Sequence, residues 1–166
     1  MTVRPIRLFG DPVLRSRTDR VVAFDAALRT LVDDLLDTVQ VPGRAGVAAN
    51  QIGVGLAVFS YNIDGELGYV INPQLVEVRG EAEPVDEGCL SVPGLAYPRL
   101  RHTWARVEGV DLDGAPVSVE GEGLLAQALQ HETDHLEGRI YVEELEPELK
   151  REAMRAIRTA DWFQRP

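Results

Sequence analysis

The part of the sequence that decides the fold is EGLLAQALQHETDHLEG, residues 122–138. Its leucines and alanines recur every three or four residues, the spacing that places side chains on one face of an α-helix. Gly138 follows the last apolar residue and is typical of a helix C-terminus. The spacing therefore predicts an amphipathic helix from about Glu122 to Glu137.

Two histidines lie four residues apart in this helix, at His131 and His135. They are separated by about 40° around the helix axis, so both imidazoles can reach one metal ion. His-Glu-x-x-His is a zinc-binding signature, although a histidine pair at this spacing also occurs on solvent-exposed helices. Because both histidines fall on the apolar arc, we favour a metal site over a surface coincidence.

Two carboxylates in the same motif are predicted to have different roles. Glu132 falls in the middle of the apolar arc, whereas Asp134 falls at its polar edge. A buried carboxylate is costly unless it is neutral, paired or close to a cation. Glu132 could pair with an arginine in the core, but beside two inward histidines a general base is favoured. Asp134 is expected to be a supporting or surface residue.

A catalytic metal site needs three protein ligands and an open position for water. The metzincin pattern would place a third histidine where this chain has Tyr141. His102 lies beside Arg101 in a polar stretch and is expected to be exposed. Cys89, the single cysteine, could be a buried small hydrophobe, but it is the better third ligand. A thiolate with two imidazoles suits zinc, ferrous iron, nickel or cobalt rather than calcium or magnesium.

The outer parts of the chain predict two further helices. Apolar residues at helical spacing follow Asp25, a candidate N-cap, and the pattern ends at Pro42-Gly43. A last amphipathic stretch runs from Pro147 to about Trp162. These two helices would flank the histidine helix in sequence.

Short apolar runs between residues 55 and 119 predict strands. Asp64-Gly65 and Asp113-Gly114 are candidate hairpin turns between neighbouring runs. The fold class is therefore α+β: antiparallel β-sheets around a central metal-binding helix, with an N-terminal helix and a C-terminal helix.

Length and composition support a single domain over residues 1–166. The formal net charge of -10 argues against a general nucleic-acid binder. The first ten residues lack the apolar run of a signal peptide, and no stretch approaches the roughly 20 apolar residues of a membrane span. We expect a cytoplasmic protein with neither DNA nor a membrane as a partner.

Three short motifs, in this order along the chain, resemble the bacterial peptide deformylase family. They are RAGVAANQ at 44–51, EGCLS at 87–91 and QHETDH at 130–135. The first departs from the family's usual Gly-x-Gly-φ-Ala-Ala-x-Gln, because Arg44 stands in place of the first glycine. The likeness spans about residues 4 to 160 and includes the early GDPVL at 10–14.

The resemblance implies a metal-dependent hydrolase that removes the N-formyl group from the N-terminal methionine of newly synthesised proteins and releases formate. Cys89, His131 and His135 would hold one divalent metal per chain. Fe²⁺ is the family's usual metal, and Zn²⁺, Ni²⁺ or Co²⁺ can replace it. The partners would be N-formylmethionyl peptides and nascent chains.

The resemblance also implies roles for residues around the metal. Glu132 would be the general base, while the side-chain amide of Gln51 and the backbone N–H of Leu90 would stabilise the oxyanion. A substrate peptide would lie as an added strand along residues of the first and second motifs. These substrate-binding residues are Ala45, Gly46 and Gly88.

Two departures from the family pattern touch the expected substrate site. If the loop needs a positive φ, Gly43 is expected to supply it in place of Arg44. Gln127 stands one helical turn before His131, where the family usually carries an apolar residue lining the methionine pocket. The expected specificity residues are Arg44, Gln127 and Ala128. An ion pair between Glu87 and Arg99 is also expected to brace the segment that carries Cys89.

Three alternative functions stay open at this point. They are a metal-dependent peptidase, a non-catalytic module with a structural zinc, and a deformylase-like metalloprotein with altered substrate or lost activity. A basic C-terminal stretch could also contact ribosomal RNA, although we favour a solvated helix face. Its cations are Lys150, Arg151, Arg155, Arg158 and Arg165.

Overall fold

The computed structural model describes residues 2–165; Met1 and Pro166, which the single-domain prediction includes, lie outside the described residues. The predicted α+β class is confirmed, and five strands form one antiparallel sheet in the order β1-β2-β3-β4-β5. The strands are β1 (Gly46–Ala48), β2 (Val58–Ile63), β3 (Glu66–Cys89), β4 (Val92–Val110) and β5 (Pro116–Glu122). The helices are α1 (Ala26–Val39), α2 (Gly123–Leu136), α3 (Pro147–Thr159) and α4 (Asp161–Gln164).

The predicted helix ends agree with the structure, except at the C-terminus. The side chain of Asp25 accepts a hydrogen bond from the backbone N–H of Leu28 at 3.1 Å and so caps α1. Gly138 follows α2 with a φ of +79°, the left-handed conformation expected of a helix terminator. The last predicted helix is interrupted at Ala160, whose extended backbone separates α3 from the short α4 that carries Trp162.

The long hairpin of β3 and β4 extends well beyond the predicted strands. Cys89 is the last residue of β3 and pairs with Val92, the first residue of β4, so only Leu90 and Ser91 form the turn. Residues 80–86 of β3 are mostly exposed, and their strand structure comes from pairing with β4. Cys89 is therefore held at the end of a sheet strand rather than on a free loop.

Both predicted hairpin turns are present. Asp64 and Gly65 have φ values of +53° and +82° and join β2 to β3. Positive φ at both central residues matches the right-handed twist of the flanking strands. Gly114, with a φ of +76°, lies in the turn between β4 and β5.

The middle of the molecule is α2, which packs against the sheet through Ala126, Leu129 and Leu136. On the sheet, the residues that pack against α2 are Phe59, Val70, Ala105 and Val107, all fully buried. Burial of each of the Phe, Val and Leu side chains in this set contributes about 1.5–3 kcal/mol. This packing sets the position of the helix that carries both histidines. Over residues 2–165, no helix has the length and apolar character needed to cross a membrane.

Candidate metal centre

Three side chains converge between α2 and the end of β3. The potential ligand atoms of Cys89, His131 and His135 all lie within 4.8 Å of one another. The Cys89 Sγ is 3.3 Å from His135 Nε2, which is 3.0 Å from His131 Nε2. Ligands bound to one ion at about 2.0–2.3 Å in a tetrahedron lie roughly 3.3–3.6 Å apart. The three predicted ligands therefore fit a divalent transition metal in spacing and in donor chemistry.

Secondary structure positions Cys89, His131 and His135 next to one another. The two histidines lie one helical turn apart on α2, and the two-residue turn after Cys89 brings the β3 end against them. The side-chain amide of Asn50, itself fully buried, donates to the backbone carbonyl of His135 at 2.5 Å. This bond ties the ligand-bearing turn of α2 to the 3₁₀ turn Ala49–Ile52.

Glu87 contacts the Nδ1 nitrogen of the His131 ring. Its Oε2 lies 2.9 Å from His131 Nδ1, and Arg101 binds the same carboxylate through two hydrogen bonds of 2.8 and 2.7 Å. Burial opposes ionisation, but the hydrogen bonds from Arg101 and His131 outweigh it and lower the pKa of Glu87 to about 2. An ionised Glu87 accepts the Nδ1 proton of His131, which leaves the unprotonated Nε2 on the side of His135 Nε2, 3.0 Å away.

The predicted ion pair between Glu87 and Arg99 is wrong, because Arg101 takes that position. Residues 99 and 101 project from the same face of β4, and only Arg101 reaches two carboxylates at once. Its second partner is Asp134, at 2.8 Å. Asp134 also binds Arg139 at 3.1 Å, so it supports the site from its outer side, as its position on the helix predicts.

Glu132 lies inside the site, as the helical pattern predicts. Only 3% of it is exposed, and its Oε2 has no hydrogen-bond partner among residues 2–165. Burial raises the pKa of Glu132 to about 7, although the neighbouring His131 acts in the opposite direction. A carboxyl group that exchanges its proton near neutral pH is suited to general acid–base chemistry.

Gly46 makes room for this carboxylate. A Cβ atom at position 46 would lie 2.5 Å from Oε1 of Glu132, closer than side chains tolerate. Gly46 begins β1, the edge strand of the sheet, whose partner on the other side is β2. The glycine therefore lets the edge strand approach the buried carboxylate.

The side-chain amide of Gln51 has a defined orientation. Its Oε1 accepts a hydrogen bond from the backbone N–H of Ala48 at 3.0 Å. Its Nε2 donates to Ser91 Oγ at 3.1 Å and lies 3.7 Å from Cys89 Sγ. Ser91 of the EGCLS motif is fully buried, and its contact with Gln51 could not be predicted from the spacing of the two residues along the sequence.

A cavity of about 550 Å³ joins these groups to the surface. The Pro93 to Leu95 stretch of β4 forms one wall. Most of the predicted site residues line it; the buried His135 is not among the lining residues. The lining residues predicted from sequence are Arg44, Ala45, Gly46, Gln51, Gly88, Cys89, Leu90, Gln127, Ala128, His131 and Glu132.

The two departures from the family pattern have visible structural consequences. Gly43 has a φ of +88°, whereas the φ of Arg44 is not positive, as predicted. The Arg44 guanidinium donates to the carbonyl of Thr38 at 2.9 Å and so caps the C-terminal turn of α1. The Gln127 amide donates to the backbone carbonyl of Asp86 at 3.0 Å, which ties α2 to β3 at the cavity wall.

His102 and Tyr141, which are not predicted ligands, each make other contacts. His102 Nδ1 lies 2.9 Å from the carbonyl of Gly80, and His102 is not part of the ligand cluster. Tyr141 is buried, and its hydroxyl donates to the carbonyl of Leu95 at 3.3 Å. Its ring centroid lies 6.3 Å from that of His131, so it packs beside the site.

Comparison with known proteins gives consistent matches. The family model described as polypeptide deformylase matches residues 3–151. A peptide deformylase from Acidothermus cellulolyticus is 51% identical over 162 residues, covering 98% of this chain and 89% of the relative. Peptide deformylase 1 from Corynebacterium efficiens is 45% identical and covers 98% of this chain and 99% of the relative.

Solved structures give the same picture. The crystal structure of a peptide deformylase from Legionella pneumophila aligns with a TM-score of 0.87 at 39% identity, over 93% of this chain and 92% of that chain. A peptide deformylase from Ehrlichia chaffeensis in complex with actinonin aligns with a TM-score of 0.87 at 31% identity, over 97% of this chain and 99% of that chain. The fold and the sequence therefore match over nearly the same length.

Proposed function

Because this chain belongs to the peptide deformylase family, we propose that Cys89, His131 and His135 hold its catalytic metal ion and that Glu132 is the general base. The chain is a hydrolase that removes the N-formyl group from the N-terminal methionine of newly synthesised proteins and releases formate. The observation that carries the residue assignment is the buried Glu132, whose Oε2 has no hydrogen-bond partner among residues 2–165, next in the chain to a member of the Cys89, His131 and His135 cluster.

We propose ferrous iron as the metal, with zinc, nickel or cobalt able to replace it. The donor set of one thiolate and two imidazoles supports a soft or borderline ion. When bound, the ion lowers the pKa of a coordinated water and polarises the formyl carbonyl. Metal analysis of anaerobically purified protein tests the assignment, and a predominance of magnesium or calcium would overturn it.

Glu132 moves the protons of the reaction. Its carboxylate takes a proton from the attacking water and later delivers a proton to the leaving amine, so that formate and a free N-terminus are released. A proton-transfer group of this kind contributes roughly 10² to 10⁴ in rate. The buried position of Glu132 and its free Oε2 support this role.

Gln51 and Leu90 are proposed to stabilise the negative charge that develops on the formyl oxygen. Ala48 and Ser91 hold the Gln51 amide with its nitrogen toward Cys89. Leu90 follows Cys89 directly in the tight turn and lines the same cavity. Loss of one oxyanion donor typically lowers kcat by about 10² to 10³. We expect that loss for Gln51→Leu, measured as kcat at unchanged metal content.

The formylated peptide is proposed to bind in the cavity between Ala45-Gly46 and Gly88. Strand β1 lies at the edge of the sheet, so an extended peptide can add to it through backbone hydrogen bonds. Gly46 and Gly88 both line the cavity and allow the peptide backbone to approach closely.

Specificity is assigned to Arg44, Gln127 and Ala128, which line the cavity. Gln127 places a polar amide where the family usually has an apolar side chain. We expect Gln127→Leu to change the ratio of kcat/KM values for peptides that begin with formyl-methionine and formyl-alanine. An unchanged ratio would remove Gln127 from this set.

Nascent chains are the proposed physiological substrates, and the cytoplasm, where they are made, is the proposed location. A ribosome contact through the basic C-terminal stretch from Lys150 to Arg165 stays a prediction. Co-sedimentation of the protein with ribosomes at rising salt, compared with an Arg151→Glu/Arg155→Glu variant, tests it. We also infer that residues 1–166 form a single catalytic domain, since one apolar cluster joins Leu14, Val92 and Ile157.

Formate release from formyl-Met-Ala-Ser by anaerobically purified protein tests the function. The matched control is acetyl-Met-Ala-Ser, which has a blocked amine of similar size without a formyl group. We expect formate from the first peptide and little acetate from the second. Cleavage of an internal peptide bond without formate release would instead identify a peptidase, and one bound metal without any turnover would identify a non-catalytic relative.

A further inference from the structure

One wall of the cavity is a bulge in β4, formed by Pro93, Gly94 and Leu95. Gly88 of β3 pairs with Ala96, but the next residue, Cys89, pairs with Val92. The three residues between Val92 and Ala96 therefore have no partner on β3. Gly94 has a φ of +78°, which allows this departure from strand geometry.

The bulge leaves backbone carbonyls without partners on β3, and where these carbonyls are partly buried they are satisfied by other donors. The indole N–H of Trp162 donates to the carbonyl of Pro93 at 3.1 Å. The hydroxyl of Tyr141 donates to the carbonyl of Leu95 at 3.3 Å. Side chains from the C-terminal part of the chain thus replace the missing strand partner at both ends of the bulge.

Trp162 is itself held in place by packing. It follows α3, which is anchored by the buried side chains of Ala153 and Ile157, and it packs in the cluster that includes Leu95. Phe163 stacks edge-on against Trp162, with ring centroids 5.9 Å apart, and also lies 6.5 Å from Phe9. The donor is therefore positioned by the C-terminal helices and does not depend on a bound peptide.

We propose that Trp162 is a positioning residue for substrate binding, which holds the Pro93–Leu95 bulge in the shape that receives the peptide. The inference rests on the deformylase activity proposed above. The bulge carries none of the proposed metal ligands, oxyanion donors or proton-transfer groups. A displaced bulge should therefore weaken peptide binding and leave the chemical step largely intact.

The test is the variant Trp162→Phe in the full-length, metal-loaded enzyme. Phenylalanine keeps an aromatic ring for packing but has no N–H to donate. With formyl-Met-Ala-Ser, we expect KM to rise about two- to tenfold, the effect of one lost hydrogen bond, while kcat stays within about twofold of wild type. Metal content should remain equal to that of wild type.

Trp104→Phe is the matched control, because it makes the same chemical change at the other tryptophan of the chain. Trp104 lies on β4 under the guanidinium of Arg79, and its indole N–H donates to no residue within 2–165. It should keep the KM of wild type. The melting temperatures of the two single variants show whether either substitution has a general effect on folding.

Two outcomes would overturn the proposal. One is an unchanged KM in Trp162→Phe; the other is a KM rise matched by a fall in metal content or by an equal fall in kcat, which indicates a general structural role. Absence of formate release by the wild-type enzyme would instead count against the deformylase function, so the two failures are distinguishable.

Discussion

At the scale of single residues, the site depends on how closely Gly46 and Glu132 approach each other. Because Gly46 has no Cβ, its backbone can lie against the Glu132 carboxylate. Only 3% of Glu132 is exposed. A proton-transfer group has to stand at hydrogen-bonding distance from the reacting water. The absence of one methyl group is therefore part of the catalytic geometry.

The variant Gly46→Ala should displace the Glu132 carboxylate, because its Cβ would lie 2.5 Å from Oε1. We expect kcat to fall about 100-fold, the usual effect of misplacing a catalytic group by about 1 Å. Metal content should not change. Gly55→Ala is the control, since a Cβ there meets nothing within 4 Å. Equal kcat values for the two variants would show that the approach has no role.

Glu87 is predicted to tune the metal affinity through His131. In Glu87→Gln the neutral amide holds His131 Nδ1 less strongly and removes the charge that pairs with Arg101. We expect the dissociation constant for the metal to rise about 10- to 100-fold, as for other residues that support a ligand histidine. Competition with a chelator of known affinity measures it.

Glu83→Gln provides the comparison for Glu87→Gln. Glu83 lies on the same strand but is exposed, so its variant should bind the metal like wild type. If both variants had the wild-type dissociation constant, the bridge from Glu87 to His131 would have no energetic role.

Some residues of this site can be predicted from the sequence, and others cannot. Helical spacing alone separates Glu132 from Asp134 and places both histidines on one face. It does not identify Arg101, because β-strand alternation puts residues 99 and 101 on the same face. In three dimensions Arg101 also contacts Asp134, a second partner that the sequence pattern does not reveal.

At the scale of elements, the site lies between a helix and the end of a hairpin. The caps and turn residues of α1, α2 and the β2–β3 turn are local signals, and they predict those elements well. Strand β1 is three residues long, and residues 80–86 of β3 are mostly exposed, with no buried apolar face to mark them as a strand. Those elements form through pairing with distant strands, which sequence periodicity does not reveal.

Arg44 is predicted to stabilise α1 by capping its last turn. Arg44→Ala removes the hydrogen bond to the Thr38 carbonyl, and we expect the free energy of unfolding to fall by about 1 kcal/mol. Urea denaturation measures the difference. Arg20→Ala removes an exposed arginine that donates to no side chain or backbone carbonyl within residues 2–165, and it should have little effect. Equal losses in both variants would contradict the capping role.

At the scale of the whole molecule, the metal should stabilise the fold, because its ligands come from β3 and α2. His131 and His135 follow Cys89 by 42 and 46 residues along the chain. Such a site forms only when the chain is folded. Metal binding and folding are therefore linked.

Metal loading at about 100 times the dissociation constant stabilises the folded state by about 2.7 kcal/mol. For a chain of this size we expect the melting temperature to rise by about 5–10 °C, measured by calorimetry with and without metal. Cys89→Ala, which lacks one ligand, should show a much smaller rise. An equal rise in both proteins would place the stabilising metal elsewhere.

The most direct test of the account is formate release by Glu132→Gln, which keeps the shape of the side chain but removes its ability to accept a proton. The measurement pairs kcat on formyl-Met-Ala-Ser with metal content for the variant and wild type. We predict one metal per chain in both proteins and a fall in kcat of about 10² to 10⁴ in the variant. A metal-loaded Glu132→Gln enzyme with the kcat of wild type would contradict the assignment of Glu132 as the general base.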